Sequence, residues 1–453
     1  MKNQKSKIKQ TEIGMIPEDW EIKPLEQIAN FTRGFSYNGT EKNSTDGEYV
    51  FITLNSVKEG GGFKKEYSYI TSKRIKDKNF VNSGDIIIAN TEQTKTGTLL
   101  GYPALVEFPP NYWNDKGVFS HHITKIKTKL GIVKNYLYYY LIFNQKNAVS
   151  YNTGSVIWAL DIANWSNHVK VSLPPCEEQS AIAKILSDLD SKIELNQRMN
   201  KNLEAIGQAI FKHWFIDFEF PNEEGNSYKS SSGEMVYNDE LGKEIPKGWK
   251  VDKLSNLLKS IESGKRPKGG IDPTLKDGVP SIGAENINGL GYYDYSSTKY
   301  IPQEYFEQMK QGIVQDEDVL LYKDGAKLGR KTMFGKGFPF NICCVNEHVF
   351  ILRVNEKLNQ FFLYFWFDQH EVTENIKNLN ANSAQPGINK ESVRTLKILV
   401  PETYIINKFK SSIKPIIEKI FLNCLESANL SQIRDSLLPK LMSGKIRVPI
   451  EAR

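Results

Sequence analysis

A chain of 453 residues exceeds what one hydrophobic core organises, so two to four domains are expected. Its 40% hydrophobic and 11% aromatic content is that of a folded protein and excludes a largely disordered one; no apolar run approaches the roughly 18 residues a membrane span needs. The net charge of +6 only modestly favours a polyanionic partner. The basic start, Met1 to Gln10, is not followed by an apolar stretch and does not read as a secretory signal. Four cysteines (Cys176, Cys343, Cys344 and Cys424), none in a CxxC pair, fit a reducing cytosol and argue against a zinc or disulfide framework.

The first half opens on Ile16-Pro17-Glu18-Asp19-Trp20 and reads as strand-rich over roughly 14–172. Within it, Asp85-Ile-Ile-Ile-Ala89 is a short β-prone run, Tyr136-Leu-Tyr-Tyr-Tyr-Leu141 a short aromatic helix, and Val171-Ser-Leu-Pro174 a strand ended by proline. A long helix follows. Its apolar residues Ile182, Leu186, Leu189 and Ile193 step by 4, 3 and 4 and resume as Leu203, Ile206 and Ile210, a heptad-like stripe. Asn196 interrupts the stripe, either as a buried residue that fixes register or at a wet edge of the seam. Asn222 to Lys243, rich in Ser, Gly, Glu and Asn, reads as a linker and domain boundary.

The second half repeats this order. Ile245-Pro246-Lys247-Gly248-Trp249 echoes the opening 229 positions on, followed by a strand-rich segment over roughly 242–400. Asp318-Val-Leu-Leu-Tyr322, Phe361-Phe-Leu-Tyr-Phe-Trp366 and Ile398-Leu-Val-Pro401 match the strand, aromatic helix and closing strand. Phe409, Ile413, Ile416, Ile420, Asn423, Leu430, Ile433 and Leu437 align with the first stripe at an offset of 227. Pro415 predicts that the second helix starts near it or kinks there. Two helices of ~30–35 residues, paired antiparallel, would span roughly 45–52 Å, comparable to a turn of duplex DNA. The expected fold is α+β, with two similar strand-rich domains separated by two long antiparallel, coiled-coil-like helices in a pseudo-two-fold repeat.

Catalytic motifs are sparse. Gly325-Ala-Lys-Leu-Gly329-Arg-Lys-Thr332 lacks the spacing of a phosphate-binding loop. Phe108-Pro-Pro-Asn-Tyr112 has the wrong order for an amino-methyltransferase motif, and Pro174-Pro175 runs into Cys176. Glu18, Asp19, Glu21 and Lys23 mimic part of a nuclease motif but read better as solvated charges around a buried Trp20. His121-His122 and His348 begin strand-like runs and lack partners at metal-ligand spacing; core-edge histidines or DNA contacts remain.

DNA reading needs cations for phosphates and planar polar groups for base edges. Asn90, Gln93 and Lys95 follow the Ile86–Ile88 run, and the matching stretch in the second half is more basic, with Lys323, Lys327, Arg330 and Lys331. Arg33-Gly34 is paired with Gly264-Lys265-Arg266, and Asn55 with Asn286-Ile-Asn288, as further candidate loops. His121 and His348 complete the candidates. Scaffold positions repeat while loop residues diverge, which predicts that the two halves read different sequences.

The order of these features resembles the specificity subunit of type I restriction–modification systems over nearly the whole chain. It rests on both Ile-Pro-x-x-Trp openings, Gly84-Asp85-Ile with Glu317-Asp318-Val, Leu173-Pro-Pro-Cys-Glu-Glu-Gln179 before Ile182, and Leu437-Leu-Pro-Lys-Leu-Met-Ser-Gly444. Pro401-Glu-Thr-Tyr lacks the Glu-Glu-Gln run. The resemblance implies target-recognition domains at 1–174 and 244–401, a central helical region at 175–221, the linker at 222–243 and a distal helical region at 402–453. It implies a non-catalytic, cytoplasmic subunit without a cofactor of its own that reads a bipartite site on double-stranded DNA. Two modification subunits and the restriction subunits would be its partners and would carry S-adenosylmethionine, ATP and Mg. Phe211, Trp214 and Phe215 are the candidate docking residues, unless they are buried against their own domain.

Overall fold

The computed structural model describes residues 7–92, 97–154, 157–379 and 387–449. Two compact units emerge, Met1–Ser191 with Ser431–Arg453, and Lys192–Leu430. The division cuts both long helices, Cys176–Phe215 and Thr403–Met442, and does not fall at 222–243.

The first unit opens with a hairpin, Ile8–Thr11 against Gly14–Pro17. Its central antiparallel sheet has the order Pro103–Leu105, Ile86–Ala89, Ile123–Thr128, Ala29–Arg33. Ile86 to Ala89 are all fully buried, as an uninterrupted apolar run flanked by neighbours on both edges requires. A second sheet is ordered Lys42–Asn43, Ser68–Ile70, Tyr49–Ile52, Lys116–Phe119, Phe80–Asn82, and its Tyr49–Ile52 and Lys116–Phe119 strands run parallel. The closing strand Lys170–Leu173 pairs with Glu21–Pro24, returning the chain to its opening. The helix Lys134–Phe143 buries six consecutive residues from Tyr136 to Leu141. Three of its four tyrosines are tolerated there because their hydroxyls find acceptors: Tyr136 donates to the Ser172 carbonyl at 2.7 Å, Tyr140 to the Lys170 carbonyl at 2.8 Å and Tyr139 to Asp190 at 2.7 Å. Asp190 also accepts from Arg434 at 2.7 Å, which ties this end of the first long helix to the second.

The second unit repeats the opening hairpin, the central sheet and the closing strand pair, with a shorter second sheet. The hairpin is Met235–Asn238 against Lys243–Pro246, and its first strand and turn lie in the stretch that reads as a linker. Phe220 and Tyr228, stacked at 4.5 Å, anchor the segment before it. The central sheet is ordered Leu258–Ser263, Val349–Val354, Val319–Tyr322, Lys331–Met333, the same order read from the other edge. The second sheet keeps Lys299–Ile301, Val279–Ile282 and Cys344–Val345, with the last two parallel. Lys250–Lys253 pairs with the closing strand Lys397–Val400.

Within this unit the two long helices pair antiparallel. Asn196 and Asn423 are both buried, so the seam reading holds over the wet edge. The Asn196 amide donates to Glu426 at 2.9 Å and Ser427 at 3.2 Å, and Asn423 donates to Asn200 at 2.8 Å. The stripe is not buried throughout: Ile206 is 47% exposed. Pro415 does not start the second helix, which begins at Thr403 and runs through it. Phe211 and Phe215 are fully buried, packed on Phe362 and Phe409, and Trp214 packs against the same core. Burial corrects the docking expectation for the two phenylalanines, whose rings no partner can reach.

Candidate nucleic-acid interface

In each unit the chain leaves the first edge strand of the central sheet for the second sheet through a glycine, at a position that only a residue without a side chain could occupy. A Cβ on Gly34 would lie 2.2 Å from the Ser120 carbonyl oxygen, and one on Gly264 would lie 1.5 Å from that of Val345. The approach aligns the two units. The amide of Asn90 donates to the His122 carbonyl at 3.0 Å, and that of Lys323 to His348 at 3.1 Å. The carbonyls of Asn90 and Lys323 accept from Leu160 and Ile388, both at 2.9 Å. Thr91 Oγ1 lies 2.8 Å from His122 Nδ1, and Asp324 Oδ2 lies 2.8 Å from His348 Nδ1. The counterpart of His348 is thus His122, one residue beyond His121.

In the first unit the junction gathers Arg33, Asn90 and His121 around one carbonyl. Arg33 Nε donates to the His121 oxygen at 3.3 Å and Asn90 Nδ2 to the same atom at 3.2 Å. Asn90 is buried and its amide also holds Thr124 at 2.9 Å, so it braces the turn; it is not the open base reader that the sequence suggests. Among the described residues, Asn90 Oδ1, Ser120 Oγ and His121 Nδ1 are buried here without a hydrogen-bond partner. The His121 and His122 rings lie 3.9 Å apart, and burial pushes both below the ordinary imidazole range, with neighbouring positive charge adding to it. Arg33 and Asn55 are exposed. Gln93 and Lys95 lie outside the described residues.

The second junction opens on a cleft of 1330 Å³ whose lining includes Arg266, Lys276, Lys299, Asp324, Asn346 and His348. His348 Nδ1 faces Asp324, which can only accept, so its proton sits on Nδ1 and Nε2 is left to accept from Arg266 Nη2. Arg266 Nε is paired with Glu347, and the Arg266 carbonyl accepts from Tyr305 at 2.9 Å. Burial raises Glu347 most, but the Arg266 hydrogen bond, a backbone hydrogen bond and the charges of Arg266 and His348 together hold the carboxyl below its usual range. Lys299 pairs with Glu285 at 2.6 Å. Lys265 is exposed; Lys323 lies over the Phe350 ring at 5.0 Å.

Two sequence pairings shift. Asn286 is fully buried and accepts the Gly283 amide at 2.9 Å, as Ser56 accepts that of Thr53 at 3.2 Å; it is a turn brace equivalent to Ser56, not to Asn55. The basic loop does not converge on the Arg266 cleft. Lys327 and Arg330 are exposed and line a separate cleft of 790 Å³ with Glu204 and Tyr364, and Arg330 donates to Asn288 at 3.0 Å. The Lys331 side chain is 10% exposed, paired with Asp368 and set over the Tyr364 ring, so it is not an open phosphate ligand. Sequence reading missed Thr91, Asp324, Glu347, Lys276 and Lys299, and matched His348 to His121 in place of His122. The available signal was the second residue after each aligned strand run, Thr91 against Asp324, and the second histidine of the pair.

A family model described as the type I restriction modification DNA specificity domain matches residues 17–205 and 246–424. The type I restriction enzyme MjaIX specificity subunit of Methanocaldococcus jannaschii is 29% identical over 98% of this chain and 97% of its own length. The MjaVIII specificity subunit of the same organism is 25% identical over 96% and 94%. The crystal structure of a type I restriction-modification system S subunit from M. genitalium has a TM-score of 0.56 and 15% identity, covering 96% of this chain and 98% of that one, which supports the fold.

Proposed function

Because the chain belongs to the family of type I restriction–modification DNA specificity domains, matched twice along its length, we propose that it is the non-catalytic subunit that reads a bipartite site on double-stranded DNA. The observation that carries this reading is the repeated junction: one strand order, built twice, with different polar residues presented at the same point. A shared scaffold with divergent readers suits two unlike half-sites. Residues 1–174 and 244–401 are the two readers. Arg33, Asn55 and His121 of the first, and Lys265, Arg266, Lys323, Lys327, Arg330 and His348 of the second, are the candidate contacts. Exposed cations supply phosphate neutralisation, and the junctions supply base recognition.

The long helices set the unspecified gap between the halves and dock two modification subunits, with restriction subunits joining the complete assembly. Those partners bring S-adenosylmethionine, ATP and Mg, and the complex works on DNA in the cytoplasm. No helix among the described residues is long and apolar enough to cross a membrane.

Mapping methylated positions in DNA from cells that express the chain with its modification partner tests the reading. A split motif with two defined halves and a fixed gap is expected; a contiguous motif would refute it. Lengthening both helices by one turn should widen the gap and leave both halves intact, and altered halves would refute the spacer role.

A further inference from the structure

We infer that Arg266 is a specificity-determining residue of the second unit that recognises the major-groove edge of a guanine, with Glu347, His348 and Asp324 as the positioning residues that aim it. This rests on the reading of the chain as a DNA specificity subunit and names one contact within it.

The argument is geometric. A guanidinium reads guanine O6 and N7 with two parallel N–H groups, which demands a fixed plane. Arg266 is held in such a way. Glu347 takes its Nε–H, His348 Nε2 takes one Nη2–H, and Asp324 fixes the His348 tautomer at 2.8 Å. Backbone anchoring comes from Tyr305, whose hydroxyl donates to the Arg266 carbonyl at 2.9 Å. The remaining N–H groups of Arg266 belong to a side chain still 42% exposed at the rim of the 1330 Å³ cleft. Lys276 lines the same cleft and places positive charge where a backbone phosphate would pass. A surface ion pair alone does not need a three-residue relay behind it. At the aligned positions the first unit differs: Ser36 stands where Arg266 does, two residues past the shared glycine, and Thr91 replaces Asp324. The guanine contact is therefore specific to the half-site read by the second unit.

The test uses the full complex with its modification subunit and compares R266A, R266K and H348A with the parent by mapping methylated motifs and by binding to duplexes of varied sequence. R266A and R266K should each make one G·C position of one half-site degenerate, with on the order of a 10- to 100-fold loss of preference, and leave the other half untouched. H348A should relax the same position without altering the salt dependence of binding, an effect that a general loss of folding would not confine to one base pair. A parent motif without a G·C pair in either half, or unchanged motifs in R266A, would overturn the inference. So would a uniform loss of affinity with the motif intact and the salt slope reduced by about one, which marks a phosphate contact. A parent motif that is not split at all would instead refute the bipartite reading on which the inference rests.

Discussion

The tryptophan that opens each unit is buried in both, and the two units bury it by different chemistry. Trp20 donates its indole N–H to Glu178 at 3.1 Å; Arg447 closes on the same carboxylate at 2.7 and 2.8 Å, binds Asp19 and sits 5.9 Å from the Trp20 ring. Trp249 meets Phe220, stacked at 4.7 Å, together with Phe215 and Phe218. Phe220 and Arg447 each lie five residues past the end of a long helix. The position repeats, but the residue that fills it is a ring in one unit and a cation in the other. This also accounts for Pro401-Glu-Thr-Tyr. The second unit has no arginine at the position of Arg447, so its long helix can dispense with an acid at the position of Glu178. A duplicated scaffold preserves shape and burial and can exchange the means of satisfying them.

The largest effect should come from breaking the polar version. Glu178 is fully buried, so Arg447→Met would leave a charge with only an indole N–H, at a cost of about 3–5 kcal/mol. Phe220→Leu should cost about 1 kcal/mol beyond lost area, because the stack has no charge to strand. Hydrogen exchange should localise the first loss to segments around Trp20 and the second to those around Trp249. Adding Glu178→Met to Arg447→Met should recover much of the stability; no recovery would show that the clamp works by packing alone.

The seam asparagines offer a second comparison. Asn196 donates to a carboxylate and Asn423 to a neutral amide. Bonds to charged groups are the stronger, so Asn196→Ala should cost about 2 kcal/mol and Asn423→Ala about 1 kcal/mol in urea denaturation followed in the helical segments. Equal costs would mean that the cavity, not the bond, decides.

These unequal partners mark where sequence stops being informative. The strand runs, the aromatic helices and the 227–229 offset were legible because burial on one face or both imposes apolar periodicity. The place of Asn196 on the stripe was legible because it broke that periodicity on schedule; its burial was settled only by the packing. One-residue offsets were not, since nothing local says whether His121 or His122 follows the turn, or that Ser56 and not Asn55 caps it. Side-chain direction was hidden too. Lys331 and Arg330 are neighbours in sequence, but Arg330 ends the loop and is exposed, while Lys331 starts the strand Lys331–Met333 and is turned toward Asp368 and Tyr364. The polar composition of 222–243 concealed a hairpin because both of its strands show much of their surface to solvent.

The Lys331 finding makes the basic loop testable residue by residue. Lys327→Ala and Arg330→Ala should each flatten the salt dependence of DNA binding by about one unit of slope if they neutralise phosphates. Lys331→Ala should leave the slope unchanged and cost about 2 kcal/mol of stability by leaving Asp368 with Gln208 in place of its charged partner. A flattened slope for Lys331→Ala would show that DNA draws it from its internal pair.

The smallest effect separates the units by pH. His121 and His122 both have folded-state values below the ordinary 6.5, chiefly because burial disfavours the imidazolium. As pH falls through 6.5 the unfolded chain takes up protons that the folded first unit refuses. The stability these rings contribute is complete above that pH and is lost as pH falls through the lowered folded-state values. Hydrogen exchange in segments around the first junction should therefore accelerate between pH 7 and 5, relative to the second junction. The His121→Gln, His122→Gln pair should abolish that difference. Persistence of the difference in the double variant would assign it to carboxylates instead, which titrate lower and are paired in both units.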